Sequence, residues 1–361
     1  MLQEKMIKVL VVDDSAIIRK ILTEELSKYR DIEIVGTAVD PYAARDKIVR
    51  LRPDVITLDL EMPRMDGLSF LVKLMKYYPL PVVVLSSLTP KNSEIALKAL
   101  ELGAVEVLCK PGPAHSTPNI SRALANAIRA AASARLNVHR QSRIPPVPPT
   151  NVIKNLISIA ASHKIIAMGA STGGTKAIET VLTDMPADAP GTVIVQHMPE
   201  NFTAAFARRL NDICRMEVRE AADEDRLIQG VALIAPGNHH IVIRRSGADY
   251  TVKIKTGPPV HYQRPSVDVL FQSVAKHADQ NAVGVLMTGM GSDGAKGLLA
   301  MREAGAHTIA QDEKSCVVFG MPKEAIKIGA ADEVVPLENI SRQIIAALQS
   351  QKKMIKPQTV I

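Results

Sequence analysis

The sequence predicts an α/β protein made of two doubly wound, mainly parallel-sheet domains, the second with an antiparallel hairpin, joined by a proline-rich linker. Three observations predict it. Apolar runs of strand length alternate with helix-length segments in both halves of the chain. Those runs are continuous, as in IKVLVV (7–12), which suits parallel strands buried on both faces. The alternation breaks once, at RQSRIPPVPPT (140–150).

The first strand, 7–12, is followed by a helical pattern from Ile17 to Leu26. Further strands are expected at 32–36, 54–58, 82–85 and 105–108, each set off by a helix-length segment. Five such alternations in one domain indicate an open doubly wound sheet. An Ala-rich helix near 121–136 closes it, and Pro145, Pro146, Pro148 and Pro149 then forbid helix and favour an extended, semi-rigid connector. The domain bounds read as 1–133, a basic linker at 134–157, and 158–350. In the second domain strands are expected at 164–170, 192–196, 231–235, 283–288, 307–310 and 316–318. A hairpin of 240–245 and 250–256 turns at Gly247, and helices fall near 174–185, 201–213, 266–280, 294–304 and 338–349.

With 47% hydrophobic and 22% charged residues the chain has a globular composition. Trp is absent and aromatics are only 3%, which argues against a base-stacking binder of single strands. The net charge of +7 divides as +2 in 1–133, +4 in 134–154 and +1 in the remainder. Most of the excess therefore sits in the linker, on Arg135, Arg140, Arg143 and Lys154, and no nucleic-acid partner is expected. Cys109, Cys214 and Cys316 lack metal-ligand spacing and read as small reduced core residues. Glu4, Lys5 and Lys8 charge the N-terminus, and no run of about 18 apolar residues occurs. No signal peptide or membrane insertion is expected, and the protein reads as cytoplasmic.

Carboxylates gather at the strand ends of the first domain. Asp13 and Asp14 follow the first strand and Asp59 ends the third, in LDLEMPRMDG (58–67). An open α/β sheet collects ligands outside the carboxyl ends of its strands. Three carboxylates placed there repel one another unless a divalent cation binds, and hard oxygen ligands suit Mg²⁺. Ser86 ends the fourth strand and Lys110, followed by Pro111, ends the fifth, so a hydroxyl and an ammonium would face the same pocket. Each Asp alone is more often a turn or cap residue; the five together are not a common accident. Residues 7–125 resemble the response-regulator receiver domain, which has a flavodoxin-like fold. The resemblance implies that Asp59 accepts a phosphoryl group from a histidine kinase. It also implies that Asp14, Asp59 and the backbone carbonyl of Glu61 hold Mg²⁺ beside Asp13, while Ser86 and Lys110 contact the phosphoryl oxygens.

In the second domain GASTGG (169–174) joins an apolar strand to a helix. Ser171 there reads as a helix cap, or as the serine of a G-x-S-x-G elbow. A phosphate loop fails because Thr175 separates Gly174 from Lys176. His197 ends the strand of TVIVQHMP, and Asp293 lies beyond another in MTGMGSDGAKG. Alone, one would be a structural hydrogen-bonder and the other a cap. Together, Ser, His and Asp fall at three carboxyl ends of one sheet, which is what a triad requires.

The chain order Ser…His…Asp departs from the Ser…Asp/Glu…His order of α/β-hydrolases. With GASTGG, VQHMP, APGNHH (235–240), RPSVDVLF (264–271) and TGMGSDGA, it resembles the bacterial chemotaxis protein-glutamate methylesterases. That resemblance implies a Rossmann-like esterase domain without a cofactor of its own. It implies γ-glutamyl methyl esters of methyl-accepting chemotaxis receptors as substrate, deamidation of receptor glutamines as a second activity, and control by receiver phosphorylation. Backbone N–H groups of Thr172 and Met290 are the oxyanion candidates. His239 and His240 read as surface or hairpin-edge residues. A DNA-binding output would need a basic recognition helix, which the charge partition does not show. A non-catalytic scaffold would keep the fold and tolerate the loss of Ser171.

Overall fold

The computed structural model describes residues 6–87, 89–110, 117–135, 163–247 and 249–350. The proline-rich segment 140–150, most of the expected linker, and Pro111 lie outside the described residues. The chain forms two compact units, Met1–His139 and Arg140–Ile361.

In the first unit five strands, β1 (Ile7–Val12), β2 (Ile32–Ala38), β3 (Val55–Asp59), β4 (Val82–Ser86) and β5 (Glu106–Cys109), form one parallel sheet in the order β2-β1-β3-β4-β5. Helices α1 (Ala16–Leu26), α2 (Pro41–Leu51), α3 (Gly67–Tyr77), α4 (Pro90–Glu101) and α5 (Thr117–Ser133) connect and cover it. Strands β3 and β4 are buried at every position, which is why their sequences are largely apolar, polar only at Thr57 and at their carboxyl ends, Asp59 and Ser86. Ser15, Asp40, Asp66 and Thr89 cap α1 to α4 with side-chain oxygens on backbone N–H groups. Because Ser15 caps α1, Asp13 and Asp14 are left for other work. Strand order reverses between β1 and β3, so Asp13 and Asp59 flank the switch point, where such sheets bind ligands.

The second unit has a seven-stranded parallel sheet and a separate hairpin. The sheet strands are β6 (Ile165–Ala170), β7 (Gly191–Gln196), β8 (Glu217–Glu220), β9 (Val231–Ile234), β12 (Ala282–Leu286), β13 (His307–Gln311) and β14 (Glu333–Val335). Their order is β14-β13-β12-β6-β7-β9-β8. The antiparallel hairpin is β10 (His240–Ser246) with β11 (Asp249–Lys255). Its helices are α6 (Gly174–Asp184), α7 (Phe202–Ile213), α8 (Val267–Ala278), α9 (Ala295–Glu303), α10 (Met321–Lys327) and α11 (Ile340–Ser350). The inner face of the hairpin (Ile241, Ile243, Tyr250, Val252) packs in one core with Leu270, Phe271 and Val274 of α8. The chain winds outward from β6 to β7 on one side and from β12 to β13 on the other, so the switch point lies between β6 and β12.

Three expectations are corrected. Residues 316–318 form no strand; Val318 is tied to the end of β12 by its carbonyl on Gly289 N (3.1 Å) and its N–H on Thr288 Oγ1 (3.0 Å). An apolar run can reach the core without a ladder when a turn precedes it, here fixed by Ser315 N on Asp312 Oδ1 (3.0 Å). Strands β8 (EVRE) and β14 (EVV) were not expected, because edge strands carry charges that break the apolar run. His240 begins β10, at the hairpin edge as expected, but is buried there and not at the surface, with Nε2 3.0 Å from the Pro258 carbonyl and Nδ1 accepting from Ser266 N. Cys316 is buried and Cys109 and Cys214 are half-buried; burial pushes the Cys109 thiol up to about 12 and that of Cys214 to about 11. Among the described residues no helix is long and apolar enough to cross a membrane.

Candidate active site

Ser171 is the first residue beyond β6 and His197 the first beyond β7. These strands are neighbours, paired through Ala170 and Gln196, and His197 N donates to the Ala170 carbonyl (3.2 Å). Ser171 does not cap α6. The cap position is Gly173 at φ 78°, left-handed backbone that suits glycine, and it makes no side-chain cap bond. Ser171 N donates to the Thr288 carbonyl beyond β12 (2.9 Å), which brings the third strand end to the same place. A side chain on Gly289 would lie 2.6 Å from Ser171 Cβ, so only glycine lets these loops approach.

Asp293 does not cap its following helix either; that position is Gly294. Its carboxylate turns to the N-terminus of α8. Oδ2 accepts from Val267 N (2.8 Å) and lies 2.8 Å from His197 Nε2, while Oδ1 accepts from the Ser266 hydroxyl (2.8 Å) and Asp268 N (3.0 Å). Four donors for two oxygens fill its in-plane lone pairs. Burial alone would push the Asp293 carboxyl up; the His197 bond and charge, Asp268 N–H and Ser266 outweigh it and hold it below the ordinary carboxylate range. An ionised Asp293 requires His197 to carry its proton on Nε2. The other ring nitrogen, Nδ1, is buried and has no hydrogen-bond partner among the described residues. It is the lone pair left to act as base.

Behind these groups lies a buried polar layer that sequence reasoning missed. Gln196 Nε2 donates to the carbonyls of both Ser171 (2.9 Å) and His197 (3.2 Å), locking the two strand-end backbones together. Thr288 Oγ1 donates to the Thr172 carbonyl (2.9 Å). Thr172 and Met290, the oxyanion candidates, thus sit in loops joined to each other, Thr172 buried and Met290 half-buried. Beside Asp293, Asp268 accepts from Gly297 N (2.6 Å) and lies 3.0 Å from His261 Nε2. Burial first, and the Asp293 charge as well, push the Asp268 carboxyl up against the pull of Gly297 N–H and His261. His239 stays apart from the site, with Nδ1 against the Gly237 carbonyl (3.1 Å). A signal existed for Ser266 only, whose place before α8 marks it as an N-cap.

The acidic pocket of the first unit is also assembled. Asp13 is fully buried, Asp59 is 1% exposed, Ser86 is buried and Asp14 is exposed. One carboxylate oxygen from each of Asp13, Asp14 and Asp59 lies within 4.8 Å of the others. Lys110 Nζ is 2.6 Å from Asp59 Oδ2 and 3.1 Å from Asp13 Oδ2, and Lys110 N donates to the Ser86 carbonyl (2.9 Å). Glu61 N donates to Asp59 Oδ1 (3.1 Å). Burial dominates at Asp59 and, with the Asp13 charge, pushes its carboxyl up despite Lys110 and the Glu61 N–H. Lys110 is held above its usual value by Asp59 and Asp13, which outweigh its own burial. One ammonium therefore faces three carboxylates, and such an oxygen-only, under-compensated set fits a hard divalent cation such as Mg²⁺.

Residues 166–344 match the family described as CheB methylesterase, and residues 9–118 match the response regulator receiver domain. A protein-glutamate methylesterase/protein-glutamine glutaminase of Syntrophus aciditrophicus is 60% identical over 94% of this chain and 98% of its own length. The protein of that name from Salmonella typhimurium is 53% identical over 95% of this chain and 97% of its own. Among solved structures, the CheB methylesterase catalytic domain of Thermotoga maritima shows a TM-score of 0.49 and 35% identity, covering 51% of this chain and 97% of that one.

Proposed function

This chain belongs to the CheB methylesterase family, and from that premise we propose a receiver-regulated serine hydrolase that removes methyl groups from γ-glutamyl methyl esters of chemotaxis receptors. The observation that carries the reading is the 2.8 Å contact of His197 Nε2 with Asp293, beside Ser171 at the adjoining strand end. Ser171 Oγ attacks the ester carbonyl while His197 Nδ1 takes its proton. Asp293, held by four donors, stabilises the imidazolium that forms. The alkoxide of the tetrahedral intermediate is held by N–H groups of Thr172 and Met290; the Ser171 N–H is not available, being bonded to Thr288. Collapse expels methanol with the proton from His197, and water then frees the glutamate by the same steps in reverse roles. A glutamine side-chain amide enters the same cycle with ammonia as leaving group, so deamidation is the second activity.

Control comes from the first unit. A histidine kinase is the phosphodonor and Asp59 the acceptor, with Ser86 and Lys110 turned to the phosphoryl oxygens. Asp13, Asp14, Asp59 and the Glu61 carbonyl would hold Mg²⁺, which when bound would supply positive charge to offset that of a phosphoryl group. With these partners the protein would act in the cytoplasm, on the cytoplasmic helices of its receptors.

The test is methanol release from a γ-glutamyl methyl ester. Ser171→Ala is expected to abolish it in a folded protein, since alanine fits wherever serine did; near wild-type release would sink the assignment. A small phosphodonor is expected to raise the rate of the full chain, and Asp59→Asn to remove that response.

A further inference from the structure

Val260 and Gln263 exchange both backbone hydrogen bonds (3.0 and 2.8 Å), closing a two-residue reverse turn on His261 and Tyr262. Both central residues have positive φ, 51° and 63°. This is the backbone of a type I′ turn, which asks for Asn-Gly or Gly-Gly because a Cβ is strained in left-handed backbone. Neither the histidine nor the tyrosine that stands here is a residue such a turn asks for. Strain of this kind persists only where surrounding structure enforces it, and it gathers at functional sites.

The enforcement is visible on both flanks of the turn. His261 Nε2 is 3.0 Å from Asp268 Oδ2, and ligand atoms of His261, Asp268 and Asp293 all lie within 4.8 Å of one another. Asp268 N donates to Asp293, which in turn meets His197, so the turn stands three contacts from the catalytic base. On the other flank Arg264 Nη1 donates to the Gly257 carbonyl (2.6 Å) and Nε to Asn238 Oδ1 (3.1 Å). Asn238 N answers by donating to the Arg264 carbonyl (3.0 Å). The turn is clamped from two sides, and at its tip Tyr262 is 73% exposed.

From this geometry we infer that the His261–Tyr262 turn is the substrate-gripping element of the hydrolase. Tyr262 packs against the helix that bears the ester, and His261 is the positioning residue that fastens the turn to the Asp268–Asp293 pair. The inference rests on the esterase reading above and deepens it. An aromatic ring with two torsions presents a large contact area at small entropic cost, which suits recognition of a helix surface beyond the reacting group. A small ester that carries no helix cannot use it.

Two substrates separate the possibilities: a short γ-glutamyl methyl ester of one residue, and a helical peptide bearing the same ester at its centre. The quantity read is the ratio of kcat/KM on the helical ester to that on the short one. Tyr262→Ala is expected to lower this ratio about tenfold, chiefly through KM on the helical ester, and Tyr262→Phe to restore most of it. Joining His261→Asn with Tyr262→Gly supplies the residues the turn prefers. That variant is expected to melt at a higher temperature and yet to lose the ratio as Tyr262→Ala does, an outcome no purely structural role would produce. If both variants keep the wild-type ratio, the turn has no part in recognition and the inference falls while the esterase reading stands. If the wild type cleaves neither ester, both fall together.

Discussion

Asp59 and Asp293 occupy equivalent kinds of place, at or beyond the carboxyl end of a fully buried parallel strand near a switch point, and both are about as buried as a side chain can be. Their carboxyl groups nonetheless move in opposite directions, Asp59 up and Asp293 down. Burial pushes both up, so the difference lies in what faces them. Asp293 has Ser266, two backbone N–H groups of the α8 N-terminus and the His197 ring on its two oxygens. Asp59 has one ammonium, shared with Asp13, and one N–H, with a neighbouring carboxylate opposing them. A group that must stay a fixed anion is given a full set of donors. Asp59, the proposed phosphoryl acceptor beside the proposed cation site, is left short of them.

The comparison can be broken most decisively at Asp293. Asp293→Asn keeps the shape but presents an NH₂ where two donors converge, and it no longer fixes the proton on His197 Nε2. The expected loss is on the order of 10³–10⁴ in kcat, as for a triad whose acid loses its charge. Methanol release measures it. Near wild-type activity would mean that Asp268 orients His197 instead.

Ser266→Ala takes one donor from the four and leaves the charge in place. A hydrogen bond to an ionised group is worth about 1.5–3 kcal/mol, shared here with three remaining partners. The expected result is a fall in kcat of roughly tenfold to a hundredfold, with the acid limb of the rate profile moved. Because Ser266 also caps α8, through a bond to Val269 N, circular dichroism must show the helix content intact.

What the sequence made legible, and what it hid, follows the same division. Ser171, His197, Asp59 and Lys110 end or directly follow a largely apolar strand, and Asp293 lies in the loop beyond one, so the strand pattern carries them to a sheet edge. Gln196, Thr288 and Asp268 lie within strands, loops or a helix start with no local mark, and their meaning is a contact across 25 to 116 residues. Ser266 was readable as a cap but not as the partner of an aspartate 27 residues away. The edge strands β8 and β14 escaped because their charges serve the edge rather than the core. The run at 316–318 misled because a buried segment held by an isolated bridge, and not by a ladder, looks in sequence the same as a strand.

The under-donated pocket can be sharpened by cation binding. Asp13→Asn removes one negative charge from the cluster and is expected to weaken Mg²⁺ binding to the full chain roughly tenfold or more, read by isothermal titration. Unaltered affinity would place the cation elsewhere than on Asp13, Asp14 and Asp59.

The smallest effect tests the sign of the contrast directly. Asp59 has a folded pKa above its unfolded value, so the folded chain binds that proton more tightly than the unfolded chain does. The stability this gives is present at low pH and is lost as pH rises through the folded value, leaving an ionised, poorly satisfied carboxylate at neutrality. Asp59→Asn replaces it with a neutral group of the same shape, while Lys110 keeps Asp13 as its partner at 3.1 Å. The first unit of the variant is therefore expected to melt above wild type at pH 7 without Mg²⁺. The gain should shrink as pH falls and vanish below the unfolded carboxylate value of about 3.9. Mg²⁺ should narrow it too, by binding the wild type more tightly than the variant and so stabilising it more. The opposite holds for Asp293, whose lowered folded pKa contributes stability above the unfolded value and loses it as pH falls through the folded one. Asp293→Asn should accordingly lower the melting point of the second unit at pH 7. If Asp59→Asn instead melts below wild type at neutral pH, Lys110 satisfies Asp59 as fully as the four donors satisfy Asp293, and the two pockets do not differ in the way their geometry indicates.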